Sequence, residues 1–448
     1  MSRIVLFLLF LVVGGKSFSQ DYIVQEIRKV CPEANVSFVL RDLETGEKDY
    51  SYNSEKLLIP ASLMKLLTTS SSLDEYYGKK KFYTSIGYRG KIKKGILYGS
   101  LVIKASGDAS WNSKYFPKND VFKLIENILK KKKIKRITGG VIIDEGGVDY
   151  SLNGKWLWED ISNYFGASLH GINIFDNTYK LFLHSGKPGS LTNLIRVEPN
   201  IENLTFENKV ISSRVIKDDA WIFGGPTSSK RIIKGSIPMY RKSFIVKGSI
   251  QHPGGVFVKT LISRLYKSGI ICTDSLEYLK NVRMKDLGKV YWPNLSELVY
   301  NINQHSVNIF SESLSKKVGD LKQFFKGKGL NVDKLQIIDG CGMSHFNMLT
   351  GDFISSLLVY INKQKYSKVF ISSLPEIGKE GTLKHFGLNS KLIGNLRAKT
   401  GSMHSVRCFA GYVKVSGKWK AFSFMANNYS CKTKDINSMF IRILETFF

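Results

Sequence analysis

The chain has 448 residues, 43% of them hydrophobic and 12% aromatic, which is too long for one ordinary core and too apolar for extended disorder. A formal net charge of +29 favours contact with polyanions, although the lysines are dispersed, with short runs only at Lys79–Lys81 and Lys130–Lys133, as on a solvated basic surface. Five cysteines without a CxxC pair exclude a disulfide scaffold and a zinc ribbon, and seven histidines without HExxH or paired spacing give no metal site, so no cofactor is expected. The odd number leaves at least one thiol free, and a Cys408–Cys431 bridge would need an oxidising compartment.

Met1-Ser2-Arg3, the apolar run Ile4 to Val13 and the small residues Ser17 and Ser19 have the layout of a secretory signal peptide cleaved near Ser19. The run is about half of what spans a bilayer, no later stretch approaches roughly 20 apolar residues, and no cysteine follows closely enough for a lipoprotein anchor. Export, to a periplasm, is therefore expected, and it removes nucleic acid from the partners. From Ala34 to Tyr52 alternation around Glu44-Thr45-Gly46-Glu47 predicts a β-hairpin, and Pro60 then opens a helical run that places Ser62 at a helix N-terminus. Between about Phe82 and Gln251 short β-rich segments (Leu97 to Ala105, Gly139 to Ile143, Leu191 to Val197, Ser243 to Ile250) surround one amphipathic helix, Asp120 to Lys133. Helical periodicity returns over Leu295 to Val318 and Thr350 to Lys363, and the chain ends with strands at Cys408 to Lys414 and Lys420 to Ala426 and a helix at Lys434 to Phe447. The two ends share an α/β character that the middle lacks, which predicts a catalytic domain (20–81 and 285–448) split by a large, mainly β inserted module (82–284) of one or two small domains, after a signal peptide at 1–19.

Ser62-Leu63-Met64-Lys65 puts a hydroxyl and an ammonium three residues apart on one helix face. A lysine in that position can take the proton of an otherwise poor serine nucleophile, and the helix N-terminus adds a positive field. The spacing alone is weak, because Ser313-Leu314-Ser315-Lys316 repeats it in the same chain. Two further elements, Ser306-Val307-Asn308 in a helix-rich stretch and Lys399-Thr400-Gly401-Ser402 before a strand, complete the ordered triple of serine penicillin-recognising enzymes. In acyl transfer from a D-alanyl-D-alanine end, Ser306 can relay a proton to the leaving amine, Asn308 can hold the substrate amide and orient Lys65, and Lys399 can keep a positive field over the cleft. Thr400 and Ser402 can bond the terminal carboxylate, Gly401 allows close backbone approach, and the N–H groups of Ser62 and Ser402 would form an oxyanion hole.

The segments Pro60 to Thr69, Gly107-Asp108, Trp158-Glu159-Asp160, Tyr164 to Ala167, Asp339 to Ser344, Gly381-Thr382-Leu383 and Arg397 to Gly401 resemble the class C low-molecular-mass penicillin-binding proteins of peptidase family S13, from about residue 22 to the C-terminus. The resemblance implies an α/β (α+β) penicillin-recognising domain, of the β-lactamase/transpeptidase-like kind, interrupted between the first and second motifs. It also implies D-alanyl-D-alanine carboxypeptidase and endopeptidase action on peptidoglycan stem peptides through a Ser62 acyl-enzyme, with β-lactams as acylating inhibitors. Val307 stands where an aspartate is frequent and Cys341 where a serine is usual. His345 stands where relatives often have an arginine that, with an acid on the inserted domain, recognises a diaminopimelate end; by position Asp144 would be that acid, and His404 faces the same region. Two other readings compete. A β-lactamase would need a dedicated deacylating base and no large insertion, and an idle wall-binding protein would not need intact Ser62, Lys65, Ser306, Asn308, Lys399 and Thr400.

Overall fold

The computed structural model describes residues 22–79, 81–146 and 152–448, and the expected signal segment 1–19 lies outside them. Among the described residues no helix is long and apolar enough to cross a membrane. The chain forms two units: one made of the residues up to Gly78 with Leu295–Val307 and Leu314–Phe448, the other of Lys79–Asn294 with Asn308–Ser313.

The first unit is built on an antiparallel sheet of β1 (Asn35–Asp42), β2 (Lys48–Tyr52), β3 (Leu396–Met403), β4 (Val406–Val415) and β5 (Lys418–Asn427), in the spatial order β3-β4-β5-β1-β2. The hairpin expected from the alternation is β1–β2, with Leu40 opposite Tyr50. In β5 everything from Ala421 to Asn427 is buried, because helices cover both faces of the sheet and leave no polar side to alternate with. On one face the C-terminal helix Thr433–Glu445 lays Phe440 flat on Phe409, ring centroids 4.1 Å apart, and against Phe422 and Phe424. On the other face the helix Gly351–Asn362 comes so close that a Cβ at Gly351 would lie 2.5 Å from Ser37 Oγ. Its next residue, Asp352, holds Arg41 of β1 and Lys48 of β2, each at 2.6 Å. The single helical period read over Leu295 to Val318 is two helices, Leu295–His305 and Asn308–Val318, parted at Ser306 and Val307, where Ser306 takes φ +56°.

In the second unit Tyr83–Lys93 and Ile96–Lys104 form the centre of a seven-stranded sheet, beside two three-stranded sheets. The strand Lys285–Tyr291, whose charged residues mask its alternation, pairs with Tyr83–Lys93, so this unit runs on to Asn294 rather than ending at 284. Asp120 caps the expected helix, observed as Val121–Lys131, by accepting the N–H groups of Phe122 and Lys123. A second helix, Pro253–Lys267, adds to the single helix expected in this unit, and proline at its first position and Val256, Phe257, Leu261 and Leu265 on its buried side carry its signal. Phe257 stacks on Phe122, centroids 5.6 Å apart, in the core of this unit. All five cysteines are thiols. Cys408 is buried in β4 with its Sγ on the Ile59 carbonyl at 3.5 Å, and Cys431 lies beside Cys31, so a Cys408–Cys431 bridge does not form.

Candidate active site

Ser62 sits in a single 3-10 turn, Ala61–Leu63, that runs straight into the helix Met64–Tyr76. That helix is buried from Met64 to Leu73 although it carries Thr68, Thr69, Ser70, Ser71 and Ser72. The burial is tolerated because Thr69, Ser70, Ser71 and Ser72 donate back to carbonyls one turn earlier and Thr68 donates to the Gly340 carbonyl at 2.7 Å. A helix fixed on all sides fixes Lys65, which is fully buried with its Nζ 3.0 Å from Ser62 Oγ and 2.5 Å from the Cys341 carbonyl.

The Cys341 carbonyl is aimed by the loop around Asp339. The carboxylate of Asp339 accepts the backbone N–H groups of Gly342 and Ser344, each at 2.6 Å, and the Asn347 amide at 2.9 Å. Gly342 has φ +85°, and a Cβ there would stand 1.9 Å from the Ala61 carbonyl oxygen, so this loop and the turn bearing the nucleophile are in direct contact. Ala61 itself has φ +47°.

Lys399 is the second buried lysine of the site. Its Nζ donates to Ser306 Oγ at 3.0 Å and to the Thr400 carbonyl at 2.8 Å. Burial, then the charges of Lys65 and Arg407, push its pKa well below the ordinary lysine value. Among the described residues no carboxylate lies within ion-pair distance of it. The motif Lys399-Thr400-Gly401-Ser402 lies inside β3, not before a strand, and β3 is the edge of the sheet. The start of that edge is covered, since Ala398 N donates to the Pro375 carbonyl and Ile377 N to the Leu396 carbonyl. By the two-residue repeat of a strand, the N–H groups of Thr400 and Ser402 face the same side as that of Ala398. Gly401 lies against the nucleophile turn, where an added Cβ would meet the Pro60 carbonyl oxygen at 2.6 Å.

Within the first unit the fold thus gathers Ser62, Lys65, Ser306, Lys399, Thr400, Gly401 and the backbone of Ser402. Asn308 opens the helix Asn308–Val318, and its amide donates to the Phe165 carbonyl at 2.8 Å. Asp144, at the end of the strand Val141–Asp144, spends both carboxylate oxygens on the N–H groups of Gly146 and Val282, which is strand-end work within its own unit. His345 is half-buried in the Asp339 loop, and His404 is exposed in the turn between β3 and β4. Ser313, the nucleophile look-alike, is buried and donates to the Gly107 carbonyl at 2.6 Å. Two participants had no assigned role: the Cys341 carbonyl, which carries no side-chain signal, and Thr382, which accepts the Thr400 hydroxyl at 3.0 Å.

The chain matches the D-Ala-D-Ala carboxypeptidase 3 (S13) family over residues 22–446. It is 23% identical to the D-alanyl-D-alanine carboxypeptidase DacB of Haemophilus influenzae, across 93% of this chain and 90% of that protein. It is 22% identical to the D-alanyl-D-alanine carboxypeptidase of Actinomadura sp. strain R39, across 88% and 77%. The fold is that of the crystal structure of penicillin binding protein 4 (dacB) from Haemophilus influenzae, with a TM-score of 0.82 at 21% identity over 95% of this chain and 98% of that one. A second structure of the same protein, complexed with a β-lactam, gives 0.76 at 20% identity, covering 95% and 99%. A family match that runs through both units accounts for the inserted module as well as the Ser-Lys site, and the chain belongs to the D-Ala-D-Ala carboxypeptidase 3 (S13) family as a serine D-Ala-D-Ala carboxypeptidase.

Proposed function

We propose that the protein removes the terminal D-alanine of peptidoglycan stem peptides, and opens cross-linked stems by the same route, with Ser62 as the nucleophile. The observation that carries this reading is the 3.0 Å contact between Lys65 Nζ and Ser62 Oγ in a site where Lys65 is shut off from solvent. In its neutral form Lys65 takes the Ser62 proton as Oγ attacks the carbonyl carbon of the penultimate D-alanine. The N–H groups of Ser62 and Ser402 receive the oxyanion. Ser306, held by Lys399, passes a proton to the departing amine, and water then hydrolyses the Ser62 ester. Thr400, Ser402 and the field of Lys399 take the terminal carboxylate, with Thr382 steadying the Thr400 hydroxyl. The open side of β3 suits an extended peptide, which can add to a sheet edge through its backbone. The opening residues read as an export signal, so the site of action is outside the cytoplasm, in a periplasm. β-Lactams acylate the same serine.

Intact-mass analysis of the mature chain with and without benzylpenicillin, beside Ser62→Ala, tests the assignment. One penicilloyl adduct on the wild type and none on the variant is expected, together with D-alanine release from a pentapeptide by the wild type alone. Absence of adduct and of hydrolysed drug would count for a wall-binding protein that only holds peptidoglycan.

A further inference from the structure

The N-terminal helix, residues 22–30, ends on Cys31, whose N–H still donates to the Ile27 carbonyl at 2.9 Å. Ile23 and Ile27 of this helix share a core with Ile436, Met439 and Phe440 of the C-terminal helix Thr433–Glu445, and Glu26 holds Arg442 of that helix at 2.6 Å. Cys431 stands two residues ahead of the C-terminal helix. One carboxylate oxygen, Oε1 of Glu33, ties the two segments together: it accepts the Cys31 thiol at 3.2 Å, the N–H of Ser430 at 3.2 Å and the Ser430 hydroxyl. The next residue, Cys431, packs against the core that contains Cys31, and the two thiols are hydrogen-bonded to each other. Cys31 is 1% exposed, whereas Cys431 is half-buried and so reaches solvent.

A buried cysteine by itself is inert, but two thiols in contact, one of them reachable, can be closed by a disulfide-bearing oxidant. We propose that Cys31 and Cys431 form an intramolecular disulfide on exchange with a small-molecule disulfide, fastening the N-terminal helix to the segment that leads into the C-terminal helix. With oxidised glutathione the exchange starts at Cys431, the reachable sulfur. Its thiolate attacks the glutathione disulfide, that S–S bond breaks, and the released glutathione thiolate takes the proton that Cys431 gave up. Cys31 then attacks Cys431 Sγ, the mixed disulfide breaks, and the second glutathione leaves with the Cys31 proton. Two protein thiols lose two electrons and one glutathione disulfide gains them. Burial, then Cys31, then the charges of Asp435 and Glu33 push the Cys431 thiol up to about 12, so the first step is slow at neutral pH and quickens as pH rises. The pairing goes beyond the carboxypeptidase reading and does not depend on it, since neither sulfur belongs to the Ser62 site.

The full mature chain, reduced and then incubated with oxidised glutathione, tests this by thiol titration in denaturant, intact mass and non-reducing peptide mapping. Loss of two of the five thiols is expected, with a mass lower by two hydrogens and one cross-linked peptide pair containing Cys31 and Cys431. The rate should climb about tenfold per pH unit between about pH 7 and 9, following the thiolate fraction. Cys31→Ala should stop at a single glutathione adduct on Cys431, and Cys431→Ala should leave Cys31 unmodified. A cross-link that closes a loop of about 400 residues should raise the unfolding midpoint of the oxidised wild type by about 2–5 °C over the reduced form, a comparison that needs no variant. Acylation of Ser62 by benzylpenicillin should proceed at the same rate in both forms, so failure of the disulfide and failure of the nucleophile assignment are read separately. Five thiols that persist, a wild type that stops at the glutathione adduct, a bridge to any other cysteine, or an oxidised chain that unfolds below the reduced one would overturn the proposal.

Discussion

Gly342→Ala is the sharpest test of how the nucleophile is positioned. Gly342 has φ +85°, and an added Cβ would lie 1.9 Å from the Ala61 carbonyl oxygen, 2.4 Å from its carbonyl carbon and 3.0 Å from Ser62 N. All three are backbone atoms, so no side chain can swing aside. Restoring even a 3.0 Å separation from the oxygen requires a movement of about 1 Å, shared between the Asp339 loop and the turn that carries Ser62. The loop is braced by the carboxylate of Asp339 and the turn leads into a helix buried on all sides, so neither yields freely. A left-handed alanine costs about 1–2 kcal/mol and overpacking about 1–3 kcal/mol, giving an expected loss of about 2–5 kcal/mol of stability. A 1 Å displacement of a reacting group costs on the order of 100-fold in rate. Denaturant unfolding measures the first quantity, and the second-order rate of acylation by a fluorescent penicillin measures the second. Acylation within threefold of wild type at unchanged stability would refute the contact between loop and nucleophile turn.

Lys399→Met bears on the buried charge. The folded-state pKa of Lys399 is depressed, so between that value and the ordinary 10.5 the unfolded chain binds a proton that the folded chain does not, and the stability linked to this residue rises with pH across the window. The variant should therefore gain most over wild type at the acid side of the window and lose that advantage as pH approaches 10.5, measured by denaturant unfolding at a series of pH values; a pH-independent difference would contradict the depressed pKa. Thr382→Ala removes one neutral hydrogen bond to the Thr400 hydroxyl, worth about 0.5–1.5 kcal/mol, and kcat/KM for a pentapeptide should fall by roughly 2–10-fold with the fold intact. Phe440→Ala empties the stack on Phe409 and should cost about 3–5 kcal/mol in unfolding free energy.

What the sequence discloses about this site follows the range of each interaction. Ser62 and Lys65 are one helical turn apart, so their contact is a local property that spacing alone suggests. Lys399 and Ser306 are 93 positions apart, and nothing short of the ordered motif triple links them. The Cys341 carbonyl is a backbone acceptor that any residue would supply, and its direction depends on Asp339 and on the left-handed Gly342. Periodicity merged the helices on either side of Ser306 because hydrophobic spacing continues across the break and Ser306 is not a residue that announces a positive φ. The strand Lys285–Tyr291 belongs to the second unit for a reason equally invisible to local pattern, since only its pairing with Tyr83–Lys93 shows where it belongs.

Two of the site's junctions, Ala61 at φ +47° and Ser306 at φ +56°, hold non-glycine residues in the left-handed region, at a cost of roughly 1–2 kcal/mol each. Such conformations persist only where the surroundings over-determine them. At Ala61 the constraint comes from Gly342 and Gly401, whose missing side chains let two backbone segments close on the turn. Ala61→Gly should separate conformational cost from positioning. Glycine adopts the left-handed region freely but brings an unfolded-state entropy penalty of about 0.5–1 kcal/mol, so the net effect on stability should lie between about zero and 1.5 kcal/mol of stabilisation. The turn then has more conformations open to it, and acylation by a fluorescent penicillin should slow even as unfolding resistance holds or improves. A loss of about 2 kcal/mol or more at wild-type acylation rate would show that the buried Cβ of Ala61 serves packing, and that the left-handed turn is not what aims Ser62.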